Sequence, residues 1–248
     1  MKRSKIVKDI KDHDLVITCV KITPFLYASH SGSRGIGSKV AGYYSAIARG
    51  KHRDLSREFS HLAWLDLSSH EGREYWAAME LMGEYAAANH EIIHRQIASH
   101  LGAQVLFDLE NHYNFAWEEV HDGQSVIVHR KGAIPAGKGV MGIIPGSMGS
   151  PGFIVRGRGN EDSLNSAAHG AGRKMSRKAA KQKLNWHETR RFLDAAGITL
   201  LSAGLDEAPQ AYKDIHEVMK AQNDLVETIA RFDPKIVKMA CERERPED

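Results

Sequence analysis

Cysteine is almost absent from this chain: Cys19 and Cys241 are the only two, far apart in sequence. Two distant thiols exclude a disulfide framework and a CxxC metal site, and they suit a reducing cytoplasm. Long apolar runs are missing too. None approaches the roughly 20 residues of a membrane-spanning helix, so no membrane partner is expected. The basic amino terminus, MKRSKIVKDIKDHDLVITCV, has no apolar core followed by a small-residue cleavage site, and does not read as a signal peptide. The net charge is only +3, but one stretch lacks carboxylates altogether. Between Asp162 and Glu188 there is none, while Arg173, Lys174, Arg177, Lys178, Lys181 and Lys183 all fall there. Such a block suits an anionic partner, phosphate or nucleic acid, and equally a solvated helix face.

What is present is the composition of a globular protein: 248 residues, 42% hydrophobic and 26% charged, enough for one large domain or two small ones. LVITCVKI reads as a strand after a short leader. FLYASHSGSRGIGSKVAGYY reads as a strand, a glycine-rich turn and a helix start. Residues 71–100 place Trp76, Met79, Met82, Ala86, Ile93 and Ile97 at helical spacing, an amphipathic helix with its apolar stripe toward a core. Residues 103–160 change character: SVIVHRKG, VMGIIPG and GFIVRG are short β-rich runs divided by Gly and Pro. Gly197 suits a helix stop after ETRRFLDAA. Pro209 suits the first turn of a further helix carrying Tyr212, Ile215, Met219, Leu225, Val226 and Ile229 inward. The mixed order of elements indicates the α+β class.

Four segments carry possible chemistry. In NSAAHGAGRKMSR, His169 stands beside Gly170 and Gly172, which clear side chains from its flank. Backbone N–H groups of HGAGR can face phosphate oxygens, Arg173 can add a permanent charge, and a neutral imidazole is a competent nucleophile toward phosphorus. A plain turn histidine fits the same spacing. In HSGSRGIG, His30 ends an apolar strand as metal ligands often do, and Ser31, Ser33 and Arg34 could meet phosphate; no Gly-Lys-Ser/Thr follows, so it is not a Walker loop. In IIPGSMGSPG, Pro145 and Gly146 open a turn with Ser147 at its tip, either a phosphate cradle or a hairpin turn. In DLENHYNFAWEE, His112, Tyr113 and Asn114 form a polar knot that suits a metal ligand or a capped turn equally.

Taken together, HSGSRGIG, NFAWEE, VHRKGAIPA, IIPGSMGS, FIVRGRGNEDS, HGAGRKMSR and EAPQAYKDIHEVM occur in an order and spacing that resembles the RtcB family of RNA-splicing ligases over residues 25–238. The resemblance implies an α+β fold with β-sheets lining a groove and helices outside. It divides the chain into a leader and first strand (1–24), a partial ligase domain (25–240) and a charged tail (241–248). It implies a GTP- and manganese-dependent enzyme that joins RNA ends bearing a 2′,3′-cyclic phosphate or 3′-phosphate to 5′-hydroxyl ends through a GMP–histidine intermediate. His169 matches the guanylylated histidine. Asn114, Pro145, Gly146, Ser147, Met148, His169, Gly170, Ala171, Gly172 and Lys238 match nucleotide-holding positions. His30 matches a metal ligand, and Arg34 and Arg173 sit where phosphate or RNA contacts are useful.

Three departures stand out. The family's amino-terminal portion, with an aspartate, a cysteine and a GNHF-like segment that ligate metal, has no counterpart in residues 1–29. Tyr113 occupies a position where the family has a metal histidine, with His112 one residue earlier; a phenol with pKa near 10 is a poor manganese ligand. Gly152 stands where a serine is usual. The expectation is therefore a cytoplasmic ligase, incomplete alone, whose partners are RNA and an archease-like activator or an amino-terminal half in trans. The alternatives are a non-catalytic module for RNA ends or guanine nucleotides, and one half of a split ligase.

Overall fold

The computed structural model describes residues 18–19 and 26–240. The expected leader, most of LVITCVKI and the tail from Cys241 onward lie outside the described residues. The described residues divide into two compact units, one within residues 18–105 and the other within residues 106–240.

The first unit is mainly helical. Strands β1 (Thr18–Cys19) and β2 (Leu26–Tyr27) pair antiparallel. Helix α1 (Arg34–Lys51) and the long α2 (His70–His100) follow. Helix α2 starts where Ser69 places its Oγ to accept from the Gly72 N–H at 3.0 Å, satisfying one of the free donors of the first turn. The 3.6-residue spacing was the right guide here: Ala86 is buried, and Trp76, Met79, Met82, Ile93 and Ile97 are half-buried.

The second unit holds the sheets. β3 (Asn114–His121) and β4 (Gln124–Lys131) form a hairpin in which His121 pairs Gln124. The two-residue loop is Asp122-Gly123, both at positive φ (51° and 74°), the conformation that Asp-Gly supplies and that matches strand twist. β5 (Ala133–Pro135) pairs β8 (Ser166–Ala168). β6 (Met141–Ile144) and β7 (Gly152–Gly157) are joined by β10 (Val226–Phe232) in the antiparallel order β10-β7-β6. β9 (Thr199–Ser202) pairs β11 (Ile236–Lys238) in parallel. Helices α3 (Arg177–Lys183), α4 (Trp186–Ala195) and α5 (Ile215–Lys220) lie between these strands in the chain. The class is α+β, as expected. Gly197, at φ 67°, follows α4 as the sequence suggests.

One expectation fails. Residues 209–229 do not form one helix: a single turn at Pro209–Ala211 and α5 are followed by β10, so Val226 and Ile229 are strand residues. Pairing with β7 from Gly152 to Gly157 decides the conformation, and no local periodicity reports so distant a partner.

Two apolar clusters position the site. Ile134, Ile144, Phe153, Val155, Ala167, Ala171, Ile215 and Val226 form the main core, with Tyr113 and Tyr212 packed on it. Met148, Leu193 and Ile198 form the second, with Val237 and Met239 against it.

Candidate active site around His169

His169 follows β8, and Gly132 follows β4. The two meet. The Gly132 carbonyl accepts from the His169 backbone N–H at 3.3 Å and lies 2.9 Å from Nδ1. A carbonyl only accepts, so Nδ1 carries the proton and Nε2 is left with its lone pair. Gly132 adopts φ 72°, a conformation that suits glycine, and a Cβ added there would stand 3.6 Å from the imidazole. Burial disfavours the imidazolium and pulls the His169 pKa below its usual 6.5; the Gly132 bond opposes this and the Lys131 charge reinforces it. The net result is a neutral imidazole at pH 7.

Around this pair the structure gathers most of the expected nucleotide positions of the second unit. The Gly132 N–H donates to the Tyr113 carbonyl at 3.0 Å, and Asn114 pairs Lys131 across the hairpin. The Ala171 N–H donates to the Pro145 carbonyl at 3.0 Å, tying HGAG to PGSM. Gly170 makes that approach possible, since a Cβ there would come within 3.0 Å of the same carbonyl. In the turn itself, Ser147 Oγ lies 2.8 Å from Ser150 Oγ and accepts from the Gly149 N–H at 3.3 Å. Met148 points into the second core, and Val237 and Met239, which flank exposed Lys238, pack there too. The tie between Lys238 and this loop therefore runs through apolar packing.

Other expected residues have different surroundings. Arg173 turns inward: its guanidinium donates to the Met175 and Asp206 carbonyls and to the Tyr212 hydroxyl, and lies 5.1 Å from the Tyr212 ring. Gly172, at φ 69°, accepts from the Lys213 N–H, which fixes the same turn. His112 lies beside Phe115, ring centroids 5.6 Å apart. His30 and Arg34 belong to the helical unit. His30 is exposed in a loop held to α2 by Ser29 Oγ to His94 Nε2 at 2.6 Å and by Asn89 to Ser31 Oγ at 3.0 Å. Arg34 opens α1.

The unbroken basic block of the sequence is partly compensated in space. Asp206 and Glu207, only 5% and 9% exposed, bind Arg177, and Lys181 lies 3.5 Å from Asp206. Burial pushes the Asp206 carboxyl up, but the Arg177 bond, its own backbone N–H and the Lys181 charge outweigh that and hold it below 3.8. Tyr212 donates to Glu207 in the same network, and burial together with that bond raises its pKa strongly. The sequence reading gave no part to Gly132 or to this network. The glycine in VHRKGA was the available signal; the carboxylates lie about thirty positions away and left none.

Among the described residues, no three His, Cys, Asp or Glu side chains converge as a cation site. Beside His169 stand a phenol, a backbone carbonyl and a lysine, a set that does not fit a resident manganese ion.

Residues 7–239 match the family model described as tRNA-splicing ligase RtcB. The chain belongs to the RtcB family. It is similar to the RNA-splicing ligase RtcB of Escherichia coli strain K12, 37% identical over 216 residues that cover 81% of this chain and 52% of that protein. It is also similar to the tRNA-splicing ligase RtcB of Nanoarchaeum equitans, 34% identical over 244 residues, 84% of this chain and 50% of that one. The tRNA-splicing ligase RtcB of Methanococcus maripaludis is 32% identical over 231 residues. The chain thus spans about half the length of these RtcB relatives. None of the described helices is long and apolar enough to cross a membrane.

Proposed function

We propose that this chain carries the nucleotide half of an RtcB-type RNA ligase, with residues 25–240 as the ligase portion and the cytoplasm as its place of action. His169 is the nucleophile and GTP the nucleotide. The supporting observation is the Gly132–His169 bond, which protonates Nδ1 and leaves Nε2 free to attack. Nε2 attacks the α-phosphorus of GTP, a P–N bond forms and pyrophosphate leaves. An oxygen of an RNA 3′-phosphate then attacks the GMP phosphorus, the P–N bond breaks, and the imidazole recovers its lone pair. The 5′-hydroxyl attacks the activated 3′-phosphate, loses its proton, and GMP departs. A 2′,3′-cyclic phosphate enters after water opens it. Neutral imidazole suits the first step, because protonation would remove the attacking lone pair.

The nucleotide rests on the paired loops 145–149 and 170–172, with Asn114 and Lys238 at their margin. Backbone N–H groups supply the phosphate contacts. Exposed Lys178 and Lys183 suit the RNA backbone. Manganese is expected from the family, but no step above uses an ion held by the described residues. In this reading the family groove opens along the His169 edge, and an archease-like activator is a candidate partner.

That no three cation-binding side chains converge among the described residues favours a second reading: one half of a split ligase, or a module that binds RNA ends or guanine nucleotides without joining them. A joining assay separates them. An RNA with a 2′,3′-cyclic phosphate is incubated with a 5′-hydroxyl RNA, GTP and manganese, with and without the amino-terminal portion of a relative. We expect product only when that portion is added. Product from the chain alone would mean a complete ligase; no product in either case would leave a binding module.

A further inference from the structure

We propose that Arg130 is a positioning residue for His169, setting which imidazole nitrogen is free to react. The inference rests on the reading of His169 as nucleophile. Arg130 is 2% exposed, and a buried guanidinium needs its donors satisfied. Arg130 lies on β4, and its partners lie on β3, on β8 and in the turn that precedes β8. On the hairpin it binds Glu119 with two nitrogens, at 2.5 and 3.0 Å, and lies 5.0 Å from the Trp117 ring. Across to β8, Nε donates to Ser166 Oγ at 2.8 Å and a terminal nitrogen donates to the Leu164 carbonyl at 2.9 Å.

Two short chain paths start at this clamp. One runs two residues from Arg130 to Gly132. The other runs three residues from Ser166 to His169. They close on each other through the Gly132 carbonyl and Nδ1. Arg130 thus holds both ends of the bond that dictates the tautomer. Glu119 is held in turn: burial pushes its carboxyl up, but bonds from Arg130 and from His121, 2.8 Å away, keep it below its usual value and charged. An unconstrained histidine side chain carries its proton on Nε2 more often than on Nδ1, so loosening the clamp moves the proton to the nitrogen that must attack.

The test reads the His169 ring directly. Proton–nitrogen correlation spectra of the full chain, labelled with 15N-histidine and without nucleotide, should show Nδ1 protonated in the wild type. Arg130→Met should shift the proton largely to Nε2, and should slow GMP-adduct formation about tenfold through misplacement of the nucleophile. Arg130→Lys should retain part of the Nδ1 population. Ser166→Ala, which removes one anchor and leaves the buried charge paired, should shift it partway, and it decides the matter if Arg130→Met does not fold. An Nδ1 population unchanged in both Arg130→Met and Ser166→Ala overturns the proposal. If the proton moves but the wild type forms no adduct, the positioning role stands and the reading of His169 as nucleophile fails.

Discussion

The ring of Tyr113 lies 5.3 Å from the imidazole of His169, centroid to centroid, tilted by 32°. Tyr113 also packs against the main core. A phenol so placed shields one face of the imidazole and contributes to the burial that lowers its pKa. It offers little to a divalent cation at neutral pH. Tyr113→His should therefore raise manganese affinity, by about tenfold on the scale of a single added ligand interaction. Titration calorimetry of the two proteins checks this. Equal affinities would show that the ion does not approach this face.

The depressed pKa of His169 has a signed consequence. Its folded value lies below 6.5, so the native state resists the proton that the unfolded chain accepts. Adduct formation should hold its plateau as pH falls through 6.5 and decline only below that. The stability tied to this group is complete above 6.5 and is lost as pH falls through that value toward the folded pKa. A pH–rate profile with its midpoint above 6.5 would contradict the assigned burial.

Asp206 carries the same sign, in a more acidic window. Its folded pKa is below 3.8, so the stability it contributes is present above that value and is lost as pH falls through the folded pKa. Asp206→Asn leaves Arg177 and Lys181 short of a partner charge. Both cations are over a third exposed, which tempers the loss to about 2 kcal/mol. Denaturant unfolding at pH 7 measures it, and at acid pH the two proteins should converge.

These ion pairs also sort the basic residues. Lys181 faces Asp206, whereas Lys178 and Lys183 are exposed on the same short helix. Each phosphate neutralised on a single strand adds roughly 0.7 to the slope of log affinity against log salt. Replacing Lys178 and Lys183 together by Gln should flatten that slope, and Lys181→Gln alone should change it less. An unchanged slope in the double variant would move the RNA path elsewhere.

How far the sequence could be read depended on the range of the deciding interaction. Helix α2 was legible because its apolar stripe repeats every turn over 31 residues. Gly197 and the runs that became β4, β6 and β7 were legible because turn residues act locally. Val226 and Ile229 were misassigned because β7, some seventy positions earlier, pulls them into a sheet. Of the residues expected at the site, His169, Asn114 and the loops 145–149 and 170–172 lie near one another in the fold. The Gly132 carbonyl, the Arg130 clamp and the carboxylates facing the basic block were not legible, since each acts between strands or loops remote in the chain.

The central claim is that Nε2 of His169 forms a bond to phosphorus, and covalent labelling tests it most directly. The chain is incubated with GTP labelled at the α-phosphate and manganese, denatured, and resolved on a gel. We expect a protein-bound label that acid releases and alkali spares, as a phosphoramidate requires, and that His169→Ala abolishes. Label that persists undiminished in His169→Ala, or that resists acid, would contradict the assignment.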